Sequence, residues 1–350
     1  MERYVKFFLL ILIVIGILTL CFNGNSLFQK KDYVFGTLVD IKIYGERKTL
    51  ASKASEEILS NFNKLHQLVH PWRKGLIYKI NEAIQNETSF LIEDQEVIFL
   101  IMRGQEYEKQ TKGYFNPAIG KLVSLWGFHS EVPRKGMPNT KDILKLVEAK
   151  PSMENIEIIN NKLTSTNNFV QVDMGGYAKG YALDQAKNIL EQYKIKNALI
   201  NIGGNILALG MQGEKEWVVG IQDPRDPNLM ASLPLKPGWS IGTSGDYQKY
   251  FTVNEKRYSH IINPYTGYPV SNTKSVTILT PPGNNSGEKS DVYTNPIFIE
   301  ETSKKIEMVH DLGINHYLIV LENNEILISN ELNKIIMWQD KIDQKKITIY

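Results

Sequence analysis

The sequence predicts an α+β fold built on a mainly antiparallel sheet with flanking helices, and three observations lead there. Strand-like and helix-like periods mix along the chain without the regular alternation of a doubly wound parallel sheet. Two alternating segments, "IEIINNKLTST" (156–166) and "YLIVLENNEILIS" (317–329), are broken by Asn-Asn pairs, the mark of tight hairpins and so of antiparallel neighbours. The 350 residues, 42% hydrophobic and 22% charged, are enough to bury a large core and too apolar for general disorder.

The first element is "MERYVKFFLLILIVIGILTLCFNGNS". Arg3 and Lys6 precede an apolar run from Phe7 to Leu20, followed by a polar exit, which is the plan of a secretory signal. The run is short of the roughly 20 residues a spanning helix needs. Residues 1–22 therefore read as a signal peptide or a membrane anchor. Cys21, at the end of the run, is a candidate for lipidation, although Leu20 stands where a lipobox has a small residue. Either way, the folded part is expected on the outer face of a cell membrane. Residues 23–31 read as a polar tether and 32–350 as a single domain.

Within that domain "YVFGTLVDIKIYG" alternates like a strand. Residues 48–67 form an amphipathic helix, with Leu50, Ala54, Ile58, Leu59, Phe62 and Leu65 on one face, and residues 93–110 form a second. The hairpin at 156–166 follows, then a helix over 177–193 and a strand in "NALINIGGNILALG". "EWVVGIQ" and "SVTILT" are further strands, and the hairpin around Asn323-Asn324 closes the chain. The stretch "PPGNNSGEKS" (281–290) reads as a loop. A net charge of +2 without a long basic run gives no case for nucleic acid. The single cysteine excludes an internal disulfide framework and a cysteine metal cluster.

Five segments hold more glycine, hydroxyl, acid and histidine than a scaffold needs. They are "FGT" (35–37), "TKGYFNPAIGKLVSLWGF" (111–128), "VDMGGYAKGYALD" (172–184), "SIGTSGDY" (240–247) with "YSHIINPYTGYPV" (258–270), and "SDVYTN" (290–295). Each alone has a structural reading: a strand entry, a core turn, close helix–strand packing, an Asn-Pro turn, a satisfied core histidine. Together they match the parts that phosphoryl-type transfer requires, namely positioning, a metal clamp and a base. Thr243 and Ser244 offer hydroxyls for phosphate oxygens. Lys179 suits a phosphate or a carboxylate such as Asp173. Asp291 with Asn295 one helical turn on is a hard oxygen pair suited to magnesium, and His260 is a base available near neutral pH.

These segments, in this order, resemble the ApbE family, the FAD:protein FMN transferases, many of them bacterial lipoproteins. The resemblance spans nearly the whole chain after the tether. It implies an enzyme that takes FAD as substrate with Mg2+, transfers FMN to a threonine or serine hydroxyl of a target protein, and releases AMP. By the same resemblance Phe35, Tyr114, Phe115, Asn116, Asp173, Lys179, Thr243, Ser244 and Ile261 contact the cofactor, with Trp72 supplying aromatic surface. Gly176 (through its carbonyl), Asp291, Thr294 and Asn295 match the metal segment, and His260 matches the general base. The chain departs from the family pattern in having Asn116 for Asp, Phe35 for Met, Asn263 for Asp and Asn295 for Thr. The acceptor implied is a membrane-bound or extracellular electron-transfer flavoprotein. An FAD-binding lipoprotein that stores flavin and an FAD pyrophosphatase yielding FMN and AMP are the alternative readings.

Overall fold

The computed structural model describes residues 26–130, 132, 134, 136–343 and 346–350. The apolar run and Cys21, and with them the signal, anchor and lipidation readings, lie outside the described residues. Among the described residues no helix is long and apolar enough to cross a membrane.

One nine-stranded sheet organises the molecule. Its strands are β1 (Leu27–Val34), β2 (Thr37–Tyr44), β3 (Ala198–Ile202), β4 (Asn205–Leu209), β5 (Ser240–Gly245), β6 (Thr273–Thr280), β7 (His316–Leu321), β8 (Ile326–Ile328) and β9 (Ile347–Ile349). Their order across the sheet is their order along the chain. Neighbours are antiparallel throughout, except β8 and β9, which run parallel. The mainly antiparallel α+β architecture expected from the sequence is therefore the one observed.

The helices are α1 (Lys48–Val69), α2 (Leu76–Gln85), α3 (Gln95–Gln110), α4 (Gly120–Leu125), α5 (Thr140–Glu148), α6 (Ala178–Gln192), α7 (Ser286–Val292) and α8 (Thr294–Ile299), followed by short C-terminal turns. Strand alternation sends Val39, Ile41 and Ile43 of β2 to one face, where they meet Ala54, Ile58, Phe62 and Leu65 of α1. Burying each large apolar side chain of that stripe contributes about 1.5–3 kcal/mol. The opposite face, with Leu199, Ile206, Ile241, Leu318 and Val320, packs on a separate three-stranded sheet of Trp217–Gln222, Leu229–Leu235 and Met337–Trp338.

Four expectations are corrected here. The polar stretch assigned to the tether is strand from Leu27 onward, paired residue for residue with β2. It is an edge strand exposed along much of its length, so burial never imprinted the alternation that marks inner strands. "YVFGTLVDIKIYG" is a hairpin, turning at Phe35 and Gly36, both at positive φ (56° and 71°). "NALINIGGNILALG" is likewise a hairpin, turning at Gly203 and Gly204 (φ 58° and 101°). Two-residue turns with both φ positive match the right-handed twist of the strands they join, and Asn160-Asn161 (49° and 62°) is the one that the asparagines advertised. Finally, the loop over 281–290 gives way to helix at Ser286.

Candidate functional site

Register places the site at one end of the sheet. Val39 pairs with Ile202, so the Phe35-Gly36 and Gly203-Gly204 turns lie at the same end, and the Gly203 N–H donates to the Leu38 carbonyl at 3.1 Å. β5 pairs with β4 only through Ser240 and Ile241, then runs on toward that end as "GTSG", paired on its other side with β6.

Where β4 lets go, a helix closes over β5. Ser240, Gly242 and Ser244 point to the helix side, and Ser286, Ser290 and Thr294 come down to meet them one by one. Ser240 Oγ lies 3.1 Å from Ser286 Oγ, and Ser244 Oγ lies 2.7 Å from Thr294 Oγ1. Between them, a Cβ on Gly242 would sit 1.9 Å from the Ser290 carbonyl oxygen, so that position holds only glycine. A two-residue strand repeat of about 6.6 Å matches a four-residue helix step of about 6 Å. Strand alternation also splits the expected pair of hydroxyls. Thr243 faces away from this helix and shares a 2.9 Å contact with Thr277 Oγ1, so only Ser244 belongs to the site.

Asp291 and Asn295 were expected one turn apart on one helix, but α7 ends at Val292 and α8 starts at Thr294. Pro296 has no N–H to give Val292, so the ladder breaks there. Side chains answer the freed carbonyls. Thr294 Oγ1 donates to the Asp291 carbonyl at 2.7 Å, and Asn295 Nδ2 leans toward the Asp291 and Val292 carbonyls at 3.4 and 3.5 Å. Asn295 thereby keeps its oxygen as the atom available to a cation.

Asp291 is the buried acid of the site. Its Oδ2 accepts the Gly180 N–H at 2.9 Å, and its Oδ1 lies 3.8 Å from Lys179 Nζ. Lys179 therefore pairs with Asp291 and not with Asp173, the partner expected from the sequence. Asp173 instead closes a tight turn, accepting the Gly175 N–H at 2.9 Å, and burial raises its pKa above the usual carboxylate range, offset in part by Lys249.

His260 sits between the two lysines. Its Nδ1 is 3.1 Å from the Lys249 carbonyl, which can only accept, so Nδ1 carries the proton and Nε2 holds the free lone pair. Burial, with Lys179 adding repulsion, depresses its pKa to about 4. The ring is neutral near pH 7, as a proton acceptor must be. A cleft of about 190 Å³ lined by Phe128, Lys249, Tyr250 and Phe251 opens beside that carbonyl. A larger one, about 450 Å³ between Lys121, Asp142, Lys145 and Phe169, is lined by none of the expected site residues.

An aromatic row starts at Phe35. Its ring meets His66 (5.5 Å between centroids), which meets His70 (5.4 Å), then Trp72 (6.2 Å) and His129 (5.9 Å). Phe35 and Trp72 thus belong to one continuous wall. Burial, with the Arg73 charge, lowers the pKa of both His66 and His70.

Three of the expected cofactor contacts are built into the framework. Asn116 spends its amide on the Pro151 carbonyl and the Ala118 N–H (2.9 and 2.8 Å), holding a turn. Phe115 is buried edge-on against Tyr107 and Tyr177, and its ring fills the space where a Cβ on Gly176 would lie. Ile261 is buried in the main core. Tyr114 stands at the rim against Tyr265, its hydroxyl pushed up to about 12 by burial and the Glu300 carboxylate.

Among the described residues no group of three His, Cys, Asp or Glu side chains forms a metal cage. The donors present are one carboxylate (Asp291), the Thr294 hydroxyl, the Asn295 oxygen and the Gly176 carbonyl. All are hard oxygens, and so few of them fit a cation such as Mg2+, which keeps waters and substrate phosphates in its shell. Two further side chains support the site, Asn81, which keeps the family pattern in its segment, and Asp184, which sequence reasoning did not assign. Asn81 exchanges two hydrogen bonds with the main chain of Val172 (2.7 and 3.0 Å), fixing the residue before Asp173. Asp184 accepts the Gly287 and Glu288 N–H groups, each at 2.9 Å. Its place at the end of "VDMGGYAKGYALD" was the available signal.

The model of the ApbE family matches residues 35–318. The chain belongs to the ApbE family. Relatives include the FAD:protein FMN transferase of Escherichia coli, 31% identical over 83% of this chain and 83% of that protein. The Rhodobacter capsulatus FAD:protein FMN transferase is 31% identical over 86% of this chain, which spans only 56% of that longer protein. Among solved structures, the ApbE protein of Thermotoga maritima superimposes with a TM-score of 0.80 at 28% identity, covering 89% of this chain and 99% of that one. The apo flavinyl transferase ApbE of Pseudomonas stutzeri shares the fold (TM-score 0.74) at 19% identity. The Escherichia coli, Rhodobacter capsulatus and Pseudomonas stutzeri proteins are transferases by name.

Proposed function

We propose that this ApbE-family chain is a Mg2+-dependent FAD:protein FMN transferase. The acceptor is a threonine or serine hydroxyl of a flavoprotein. Its oxygen attacks the flavin-side phosphorus of FAD, the diphosphate P–O bond to the adenylate breaks, and AMP leaves with the bridging oxygen. The hydroxyl proton passes to His260 Nε2. The observation that carries this reading is His260 itself, a neutral imidazole with Nδ1–H held by the Lys249 carbonyl and Nε2 free.

Ser244 and Lys179 stand where phosphate oxygens need partners, and the Phe35–Trp72 wall offers apolar surface to a planar ring. Gly176, Asp291, Thr294 and Asn295 would hold Mg2+, which supplies charge neutralisation at the diphosphate when bound. The N-terminal pattern supports a lipid or helix anchor on the outer face of the membrane, and with it an acceptor among membrane-bound or extracellular electron-transfer flavoproteins. Loss of palmitate labelling in Cys21→Ala tests the lipid form.

The activity is tested by incubating the protein with FAD, Mg2+ and a candidate acceptor and weighing the acceptor by mass spectrometry. An added FMN phosphoester with equimolar AMP is expected. AMP and free FMN without an adduct would make the enzyme a pyrophosphatase, and intact bound FAD would make it a carrier.

A further inference from the structure

Helices α6 and α7 run antiparallel and cap each other. The first turn of α6 leaves the Gly180 N–H without a partner of its own, and Asp291, on α7, accepts it at 2.9 Å. The first turn of α7 leaves the Gly287 and Glu288 N–H groups free, and Asp184, on α6, accepts both at 2.9 Å. The two helices touch backbone to backbone at this crossing. A Cβ on Gly180 would lie 2.4 Å from the Gly287 carbonyl, and one on Gly287 would lie 2.4 Å from the Gly180 carbonyl. Neither helix can slide or rotate without breaking a cap. Glu288 adds a third tie, taking Arg103 Nε at 3.1 Å and the Tyr107 hydroxyl at 2.7 Å.

This arrangement bears on Asp291, because one of its oxygens is fixed by the Gly180 N–H and the other, 3.8 Å from Lys179 Nζ, is the one a divalent cation would take. The direction of that second oxygen depends on where α7 sits, and Asp184 decides where α7 starts. From this geometry we infer that Asp184 is a positioning residue, setting the divalent-cation affinity of Asp291 by locking α7 against α6. The inference rests on the assignment of Asp291 to the cation site, and the experiment separates the two.

Mn2+ serves as the probe, its binding to the full-length protein in the presence of FAD followed by the EPR signal of free Mn2+. Asp184→Ala is expected to weaken Mn2+ binding about 10-fold or more, the usual effect of removing a group that orients a ligand. Asp184→Asn, whose one oxygen still accepts one N–H, is expected to lie between Asp184→Ala and the wild type, and it keeps the test open should the alanine variant fail to fold. Ser329→Ala is the stability control. It removes a buried hydroxyl that accepts the Leu332 and Tyr317 N–H groups at 3.3 Å in an element that lacks the site residues, and it should lower Tm without moving Mn2+ affinity. Wild-type affinity in both Asp184 variants, with binding lost in Asp291→Ala, would overturn the positioning role and leave the cation site standing. Wild-type affinity in Asp291→Ala would remove the cation assignment and the inference with it. Equal weakening in Ser329→Ala would show that Mn2+ binding follows global stability, which also overturns it.

Discussion

Ser244 Oγ and Thr294 Oγ1 meet at 2.7 Å, the last rung of a ladder that joins strand β5 to the helix pair above it. Thr294 Oγ1 also donates to the Asp291 carbonyl at 2.7 Å, so one hydroxyl ties the strand, the helix break and the site's buried acid together. Thr294→Val keeps the shape and removes the hydroxyl, leaving the Asp291 carbonyl short of a partner. A loss of about 1–3 kcal/mol is expected in urea unfolding, with Thr294→Ser close to wild type. Equal midpoints for the valine and serine variants would mean that the hydroxyl contributes nothing.

The middle rung is tighter still. Gly242→Ala drives a methyl into the Ser290 carbonyl, a backbone atom pinned by its helix, so the strand or the helix must shift. The expected cost is about 1–3 kcal/mol or more, visible as a lowered Tm. Gly283→Ala meets no atom within 4 Å and is the matched control, expected within about 0.5 kcal/mol of wild type. Similar Tm values for the two variants would refute the packing argument.

Much of this was legible in the sequence, and the boundary has physical causes. The α+β class followed from periodicity, and α1 and α6 were placed almost to the residue because a buried stripe at helical spacing is a local signal. The hairpins at Asn160-Asn161 and Asn323-Asn324 were legible because asparagine tolerates positive φ. The hairpin at Phe35-Gly36 was not, since phenylalanine seldom takes φ near 56° and its neighbours continue the strand alternation. For the site, residue types pointed to His260, Lys179, Asp173 and Asp291, and the fold sets Lys179 against Asp291, 3.8 Å from its Oδ1. Pairing was beyond reach. Whether Lys179 chooses Asp173 or Asp291, or Thr243 faces the site, depends on contacts between elements distant in the chain, such as the Gly180–Asp291 bond across 111 residues and the Thr243–Thr277 contact across 34.

His260 should govern the acid side of the pH profile in an unusual place. With its pKa depressed to about 4, the acid limb of kcat/KM should fall well below the ordinary histidine value of about 6.5. The stability link has a definite sign. Between about 6.5 and 4 the unfolded chain binds this proton and the native state does not, so acidification through that window destabilises the fold. His260→Gln should flatten that part of the stability curve and abolish transfer while FAD still binds. A limb near 6.5 in the wild type would contradict the burial of the ring.

Lys179→Met tests the coupling between the cation and the base. Removing the ammonium takes away one of the three causes that hold the His260 pKa down and leaves the largest, burial, and the Lys249 charge in place. The imidazole should therefore titrate higher than in the wild type, yet still below about 6.5, in a proton NMR titration of the ring C–H signals. Lys179→Arg keeps the charge and should leave the titration near its wild-type position. Lys179→Met also strips Asp291 of the ammonium 3.8 Å from its Oδ1, an interaction damped by the partial exposure of Lys179, so only a small change in Tm is expected. An unmoved His260 titration with a large fall in Tm would reverse the assignment, making Lys179 a structural partner of Asp291 with no electrostatic hold on the base.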